Sequence, residues 1–91
     1  MSYFVYILLS EKDKKLYVGC ASNLENRLKA HNQGKVSATC NRRPMTIIHS
    51  EEFTDKGKAF QRERYLKTVW SARFKSKIKK EYLDKIAHRN I

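Results

Sequence analysis

Acidic side chains are scarce in this 91-residue chain: nine Asp and Glu stand against 20 Lys and Arg, a formal net charge of +11. Cysteine is scarcer still. Cys20 and Cys40 have no metal-ligand spacing. Reduced thiols in a cytoplasmic protein are expected, with a single disulfide between them as the alternative. Long apolar runs are missing too. Tyr3 to Leu9 is the apolar start of the chain, and it is far short of the roughly 20 residues that cross a bilayer. No basic leader precedes it, so neither a secretion signal nor a membrane anchor is expected. No internal repeat is visible. Disorder is excluded by what is present, a hydrophobic fraction of 41%. The length suits one domain, spanning residues 1–91, with a modest core.

The charge is uneven. Residues 56–91 hold 12 basic and 3 acidic residues, whereas residues 1–55 hold 8 and 6. A positive field concentrated in one region favours a polyanion, nucleic acid before an anionic membrane. The plain alternative is a lysine-rich surface that water alone covers.

Tyr3-Phe4-Val5-Tyr6-Ile7-Leu8-Leu9 is aromatic and β-branched and reads as a central strand buried on both faces. Ser10 to Lys15 is a polar turn, and Leu16-Tyr17-Val18-Gly19 is a second strand, making an antiparallel hairpin. Ser22-Asn23-Leu24-Glu25 has the spacing of a capping box, opening a helix that runs to about Asn32 and stops at Gly34. Leu24 and Leu28 mark its buried stripe, with Arg27 and His31 on one face along the stripe's edge. Lys35 to Pro44 is aperiodic, a loop with a basic end. Met45 to Ser50 is a third strand, continuing towards Phe53. Thr54-Asp55 starts a helix carrying Ala59, Phe60, Glu63 and Leu66. Ser71 is the expected cap of a last helix whose Phe74, Ile78, Tyr82 and Ile86 recur every fourth residue. The fold class expected is α+β, a small three-stranded antiparallel sheet flanked by helices in the order β-β-α-β-α-α.

Phe4-Val5-Tyr6 followed by Tyr17-Val18-Gly19 resembles the paired signature tripeptides of the GIY-YIG nuclease family. Leu24 to Asn32 resembles the family's arginine helix, and Ala59 to Lys67 its glutamate helix. The ordered set spans Tyr3 to about Lys80. It is most similar to the small stand-alone branch related to the nuclease domain of the excision-repair excinuclease, which implies a place in DNA repair. Phe4 stands where the signature has glycine, and valine replaces isoleucine in both tripeptides. The resemblance implies metal-dependent phosphodiester hydrolysis, with Tyr6, Tyr17, Arg27, His31 and Glu63 as the catalytic set. A downstream asparagine used by many members has no clear counterpart, Asn90 being too near the terminus.

The chemistry of those residue types agrees. A lone carboxylate, Glu63, suits one Mg²⁺ (or Mn²⁺) that keeps most of its waters and takes a phosphate oxygen. It does not suit a two-metal clamp. Arg27 suits bidentate contact with the scissile phosphate. Tyr6 is the expected general base, or else the group that positions the water, with Tyr17 orienting it. An ordinary phenol has a pKa of about 10, so deprotonation near neutrality costs about 4 kcal/mol without help. His31 shares the proton work or holds Tyr6 or the phosphate. Thr39 and Arg43 are expected to touch substrate, and Arg73, Lys75, Lys77, Lys79 and Lys80 to follow the phosphate backbone. The competing uses are an i, i+4 ion pair for Glu63 with Lys67, a solvated helix arginine for Arg27, core packing for the tyrosines, and a structural role for His31.

The function expected is thus a monomeric DNA endonuclease, with RNA or branched DNA as further substrates. No small-molecule cofactor and no membrane partner are expected. A nucleic-acid-binding module that retains the scaffold without cleaving is the first rival. A protein-interaction domain with a basic surface is the second.

Overall fold

The computed structural model describes residues 1–89. Strands β1 (Tyr3–Ser10) and β2 (Leu16–Ala21) are followed by helix α1 (Leu24–Asn32), strand β3 (Met45–Phe53), helix α2 (Lys56–Leu66), a 3₁₀ turn (Val69–Ser71) and helix α3 (Ala72–Arg89). The sheet is antiparallel in the order β2-β1-β3. The most apolar strand is therefore central, and Val5 to Leu9 are all buried.

Alternation along β1 divides the sheet into two chemistries. Val5 and Ile7 join Val18 of β2 and Ala59 and Leu66 of α2 in the apolar core, with Phe53 and Phe74 packed against it. Tyr6 and Leu8 point the other way, as do their cross-strand partners Gly19 and Tyr17. That second face is covered by α1, which places His31 against the Tyr6 hydroxyl. Phe74, Ile78, Tyr82 and Ile86 are all half-buried, the expected inward stripe of α3. Among the described residues, no helix is long and apolar enough to cross a membrane.

Two caps differ from expectation. Helix α1 starts one residue late, on Asn23, whose side chain accepts from the Asn26 N–H at 3.0 Å. Asparagine caps as well as serine, so the capping-box spacing did not decide between them. Ser71 does not accept at the start of α3. It is fully buried and donates to the Leu66 and Thr68 carbonyls at 3.0 and 2.9 Å, so it closes the end of α2. Asp55 caps α2 as its sequence indicates, accepting from the Lys58 N–H at 3.1 Å. Gly34 ends α1 with φ +79°, a conformation that glycine adopts without penalty.

The segment between α1 and β3 is fastened at both ends. The Asn32 amide donates to the Met45 carbonyl at 3.0 Å and accepts from the Met45 N–H at 2.7 Å. The buried Ser10 hydroxyl donates to the Arg42 carbonyl at 2.6 Å, and Arg42 pairs with Asp13 at 3.1 Å. What looks like a free loop in sequence is held across the top of the hairpin, with Thr39 fully buried at its centre.

Candidate active site

The Tyr6 ring lies across Gly19, its partner on β2. A Cβ on Gly19 would stand 2.3 Å from the Tyr6 hydroxyl, so only glycine lets the ring pass. The phenol then meets two residues of α1. His31 Nε2 is 3.0 Å from the Tyr6 oxygen, and Arg27 Nε donates to that oxygen at 3.4 Å. One helical turn separates Arg27 from His31, which lets both converge on one atom. Tyr17 completes the cluster as an aromatic wall. Its ring stands edge-on to His31 at 5.0 Å and to Tyr6 at 6.4 Å between centroids.

His31 is the one buried residue of α1, 0% exposed, while Leu24 and Leu28 are only half-buried. The expected helix-edge histidine is thus the deepest residue of its helix. The reason is the segment that folds over it. Thr39 Oγ lies 2.7 Å from His31 Nδ1. The same hydroxyl donates to the Val36 carbonyl at 3.4 Å. In the His31 tautomer that carries its proton on Nδ1, Thr39 accepts from Nδ1–H and the lone pair of Nε2 faces the Tyr6 hydroxyl. A directional chain results, from Arg27 to Tyr6 to His31 to Thr39 to the backbone. Thr39 was expected to touch substrate. It is 0% exposed, and its hydroxyl meets His31. Arg43 remains exposed, its Nε donating to the Cys40 carbonyl at 2.7 Å.

Burial pushes the Tyr6 phenol above its ordinary value. Its hydrogen bond with Arg27 opposes the rise, and the charges of Tyr17 and Glu63 add to it. Burial lowers the His31 pKa, and the Arg27 charge lowers it further. Both shifts keep the pair neutral, a protonated phenol against an unprotonated imidazole. Arg27 is held firmly charged, chiefly by its bond to Tyr6. Among the described residues it has no carboxylate partner.

Glu63 reaches the site from the opposite face. It falls four residues after Ala59 and three before Leu66, the two buried positions of α2, so it shares their inward stripe. Among the described residues, no hydrogen bond or ion pair joins it to Tyr6, Tyr17, Arg27 or His31. Its charge is felt by the Tyr6 phenol and by the Cys20 thiol, both pushed up by it. The carboxylate side chain is 22% exposed and pairs with Lys67 at 3.3 Å, the i, i+4 contact that spacing alone offered as its alternative use. Among the described residues, no three His, Cys, Asp or Glu side chains gather as a metal cage. A single carboxylate opening to solvent does fit a hydrated Mg²⁺ or Mn²⁺ that needs one protein ligand and a substrate phosphate.

The five basic residues of α3 split into two rows. Arg73, Lys77 and Lys80 are exposed, whereas Lys75 and Lys79 are half-buried beside the apolar stripe. Cys20 and Cys40 are both free thiols. Asn90 lies outside the described residues. Gly19 was read in sequence only as part of a tripeptide. A glycine inside a strand otherwise rich in large residues is the signal that another group passes close by.

Comparison with known proteins agrees with this arrangement. A family model described as the GIY-YIG catalytic domain matches residues 2–82. A UPF0213 protein of Bacillus velezensis is 42% identical over 69 residues, covering 75% of this chain and 69% of that protein. One from Natronomonas pharaonis is 37% identical over 82 residues, covering 89% and 88%. The solution NMR structure of a UPF0213 protein from Bacillus halodurans superimposes with a TM-score of 0.53 at 32% identity, covering 86% of this chain and 82% of that one. With both tripeptides, the arginine helix and the glutamate helix in the expected order on the expected sheet, the chain belongs to the GIY-YIG catalytic-domain family, alongside the UPF0213 proteins.

Proposed function

We propose that this protein is a metal-dependent endonuclease that hydrolyses phosphodiester bonds in DNA. RNA and branched DNA are further candidate substrates. The observation that carries the reading is the meeting of His31 Nε2 and a carboxylate-free Arg27 on one phenol oxygen.

Among the described residues Arg27 is a charged fork without a counter-ion, and a phosphodiester supplies one. Its bond to Tyr6 is long at 3.4 Å, so moving onto a phosphate gives up little. That movement frees a lone pair of the Tyr6 oxygen for an attacking water. An isolated phenolate is a poor intermediate here. Ordinary pKa values of about 10 and 6.5 already put the phenolate–imidazolium pair about 5 kcal/mol above the neutral pair, and both shifts in this site widen that gap. The water's proton therefore passes to Tyr6 as Tyr6 hands its own to His31 Nε2. The bound phosphate offsets the Arg27 charge that depresses His31 and so raises the imidazole's proton affinity. Thr39 keeps the accepting nitrogen aimed at Tyr6. Tyr17 walls the pocket. Glu63 would hold the metal, which when bound polarises the phosphate and the leaving oxygen. The free thiols suit a reducing cytoplasm.

A second reading is supported by one observation: Tyr6 is 1% exposed, so the phenol is covered. A module that binds nucleic acid without cutting it would keep it covered. Incubation of plasmid and single-stranded DNA with Mg²⁺ or Mn²⁺, against chelator, separates the two. Nicking that needs metal and is lost in Arg27→Ala and Glu63→Ala supports the nuclease. Salt-sensitive binding with no nicking under any metal supports the module.

A further inference from the structure

The turn between α2 and α3 presents Val69 and Trp70 to solvent, each 81% exposed, and Trp70 is the single tryptophan of the chain. Large apolar groups this exposed are ordinarily found on mobile segments, but this turn is firmly held. The buried Ser71 hydroxyl donates to the Leu66 and Thr68 carbonyls. Thr68 Oγ donates to the Tyr65 carbonyl at 2.6 Å, and the Tyr65 hydroxyl donates to the Trp70 carbonyl at 3.4 Å. Tyr65 is itself 43% exposed and carries the Arg62 guanidinium over its ring. The fold thus fixes an aromatic knuckle in the open. Arg64, Lys67 and Arg73 flank it along the chain, all exposed, with Lys67 also pairing with Glu63 at 3.3 Å.

We propose that Trp70 is a stacking platform for an unpaired base of a nucleic-acid strand whose phosphates run past Arg64, Lys67 and Arg73. This rests on the nucleic-acid reading of the active site and adds a preference for single-stranded or frayed substrate. Charge chooses the partner: an indole among cations, within residues 56–91 and their 12 basic and 3 acidic residues, is complementary to a polyanion that also carries flat rings. A membrane surface fits less well. The apolar stripe of α3 is half-buried, so only the turn, with Val69, Trp70 and the partly exposed Tyr65, would insert. The position also suits the active site. Trp70 lies seven residues beyond Glu63, in the turn that follows the helix carrying that carboxylate.

Because Trp70 is the single tryptophan, its emission reports on this position alone. The full chain is titrated in chelator and low salt with a labelled oligodeoxythymidylate, the same length of duplex, and phosphatidylglycerol vesicles. Label anisotropy and tryptophan emission are followed together. The single strand should quench the emission in step with its binding, and the duplex should quench it less. Trp70→Ala should weaken single-strand binding by roughly 5-fold to 100-fold, and Trp70→Phe should keep most of it. Binding by anisotropy with unchanged emission, or a Trp70→Ala variant that binds like the parent, overturns the platform and leaves the nucleic-acid reading standing. A blue shift on vesicles without quenching by the oligonucleotide overturns it in favour of a membrane. No anisotropy change at low salt overturns both readings together.

Discussion

Two polar clusters sit on opposite faces of one three-stranded sheet, and they use their charges in opposite ways. On the α2 face, Glu51 receives Arg62 Nε at 2.8 Å, Arg62 Nη2 at 3.0 Å and His49 Nε2 at 2.8 Å. Arg62 and His49 both lie against the Phe74 ring. Every strong donor there has an acceptor inside the protein, so the cluster ties α2 and α3 to β3. On the α1 face the arginine has only phenols for company, and the chain behind it is neutral. An arginine whose charge is already met stabilises the fold. One whose charge is unmet is available to an anion. The neighbours of each guanidinium separate structure from function better than its exposure does, since both arginines are half-buried.

The largest effect should come from exchanging the two arginines for alanine. Arg27→Ala should lower nicking by about 100-fold to 1,000-fold, the usual loss for one donor to a transition-state oxyanion. Its urea midpoint should correspond to a change of less than about 1 kcal/mol. Arg62→Ala should do the reverse, costing about 1–3 kcal/mol of stability while nicking per folded molecule holds. If Arg62→Ala cut nicking as deeply as Arg27→Ala, the contrast between the faces would be gone.

Gly19→Ala comes next. Its Cβ would overlap the Tyr6 hydroxyl, so the ring must leave His31, at a cost of about 1–3 kcal/mol for the overpacked site. Nicking should fall with it. An active, equally stable Gly19→Ala would show that Tyr6 need not stand where it does.

Thr39→Val keeps the shape but strands the buried Nδ1–H, costing about 1–2 kcal/mol. Thr39→Ser should restore both stability and the pH profile of nicking, which a purely space-filling role for Thr39 would not require.

The smallest and most diagnostic effect is in acid. His31 is depressed below its ordinary value of about 6.5. Its contribution is fully present above that value and is lost as pH falls through the lower folded-state value. Glu51 is held below its ordinary value of about 4.3, first by the Arg62 hydrogen bonds. Its contribution persists to lower pH and is lost as pH falls through its own folded-state value. Urea midpoints against pH should therefore drop in two stages. His31→Gln should flatten the upper stage and Glu51→Gln the lower. Nicking should decline along the upper stage only.

Much of this architecture was legible in the sequence because it rests on local signals. The aromatic, β-branched run of β1, the Asp55 cap, the Gly34 stop and the fourfold stripe of α3 are set by neighbours within a few residues. The positions that sequence misplaced depend on which of several possible partners the fold brings up, near ones for Asn23 and Ser71 and more distant ones for Thr39. Ser22 and Asn23 are equivalent caps until the chain entering α1 is fixed. Ser71 looked like a helix start because the carbonyls it meets belong to the preceding helix and turn. Thr39 looked like an exposed loop residue because nothing local reveals that Asn32, Ser10 and Arg42 pull its loop inward.

By itself the sequence determined the order of elements and the family. Periodicity, caps and motif spacing are properties of adjacent residues. Only the tertiary structure decided that His31 is buried against Thr39, that Arg27 has no carboxylate partner among the described residues, and that Glu63 approaches from the far side of the sheet. Depth, tautomer and charge balance are set by whatever packs opposite a side chain, and that neighbour is chosen by the fold.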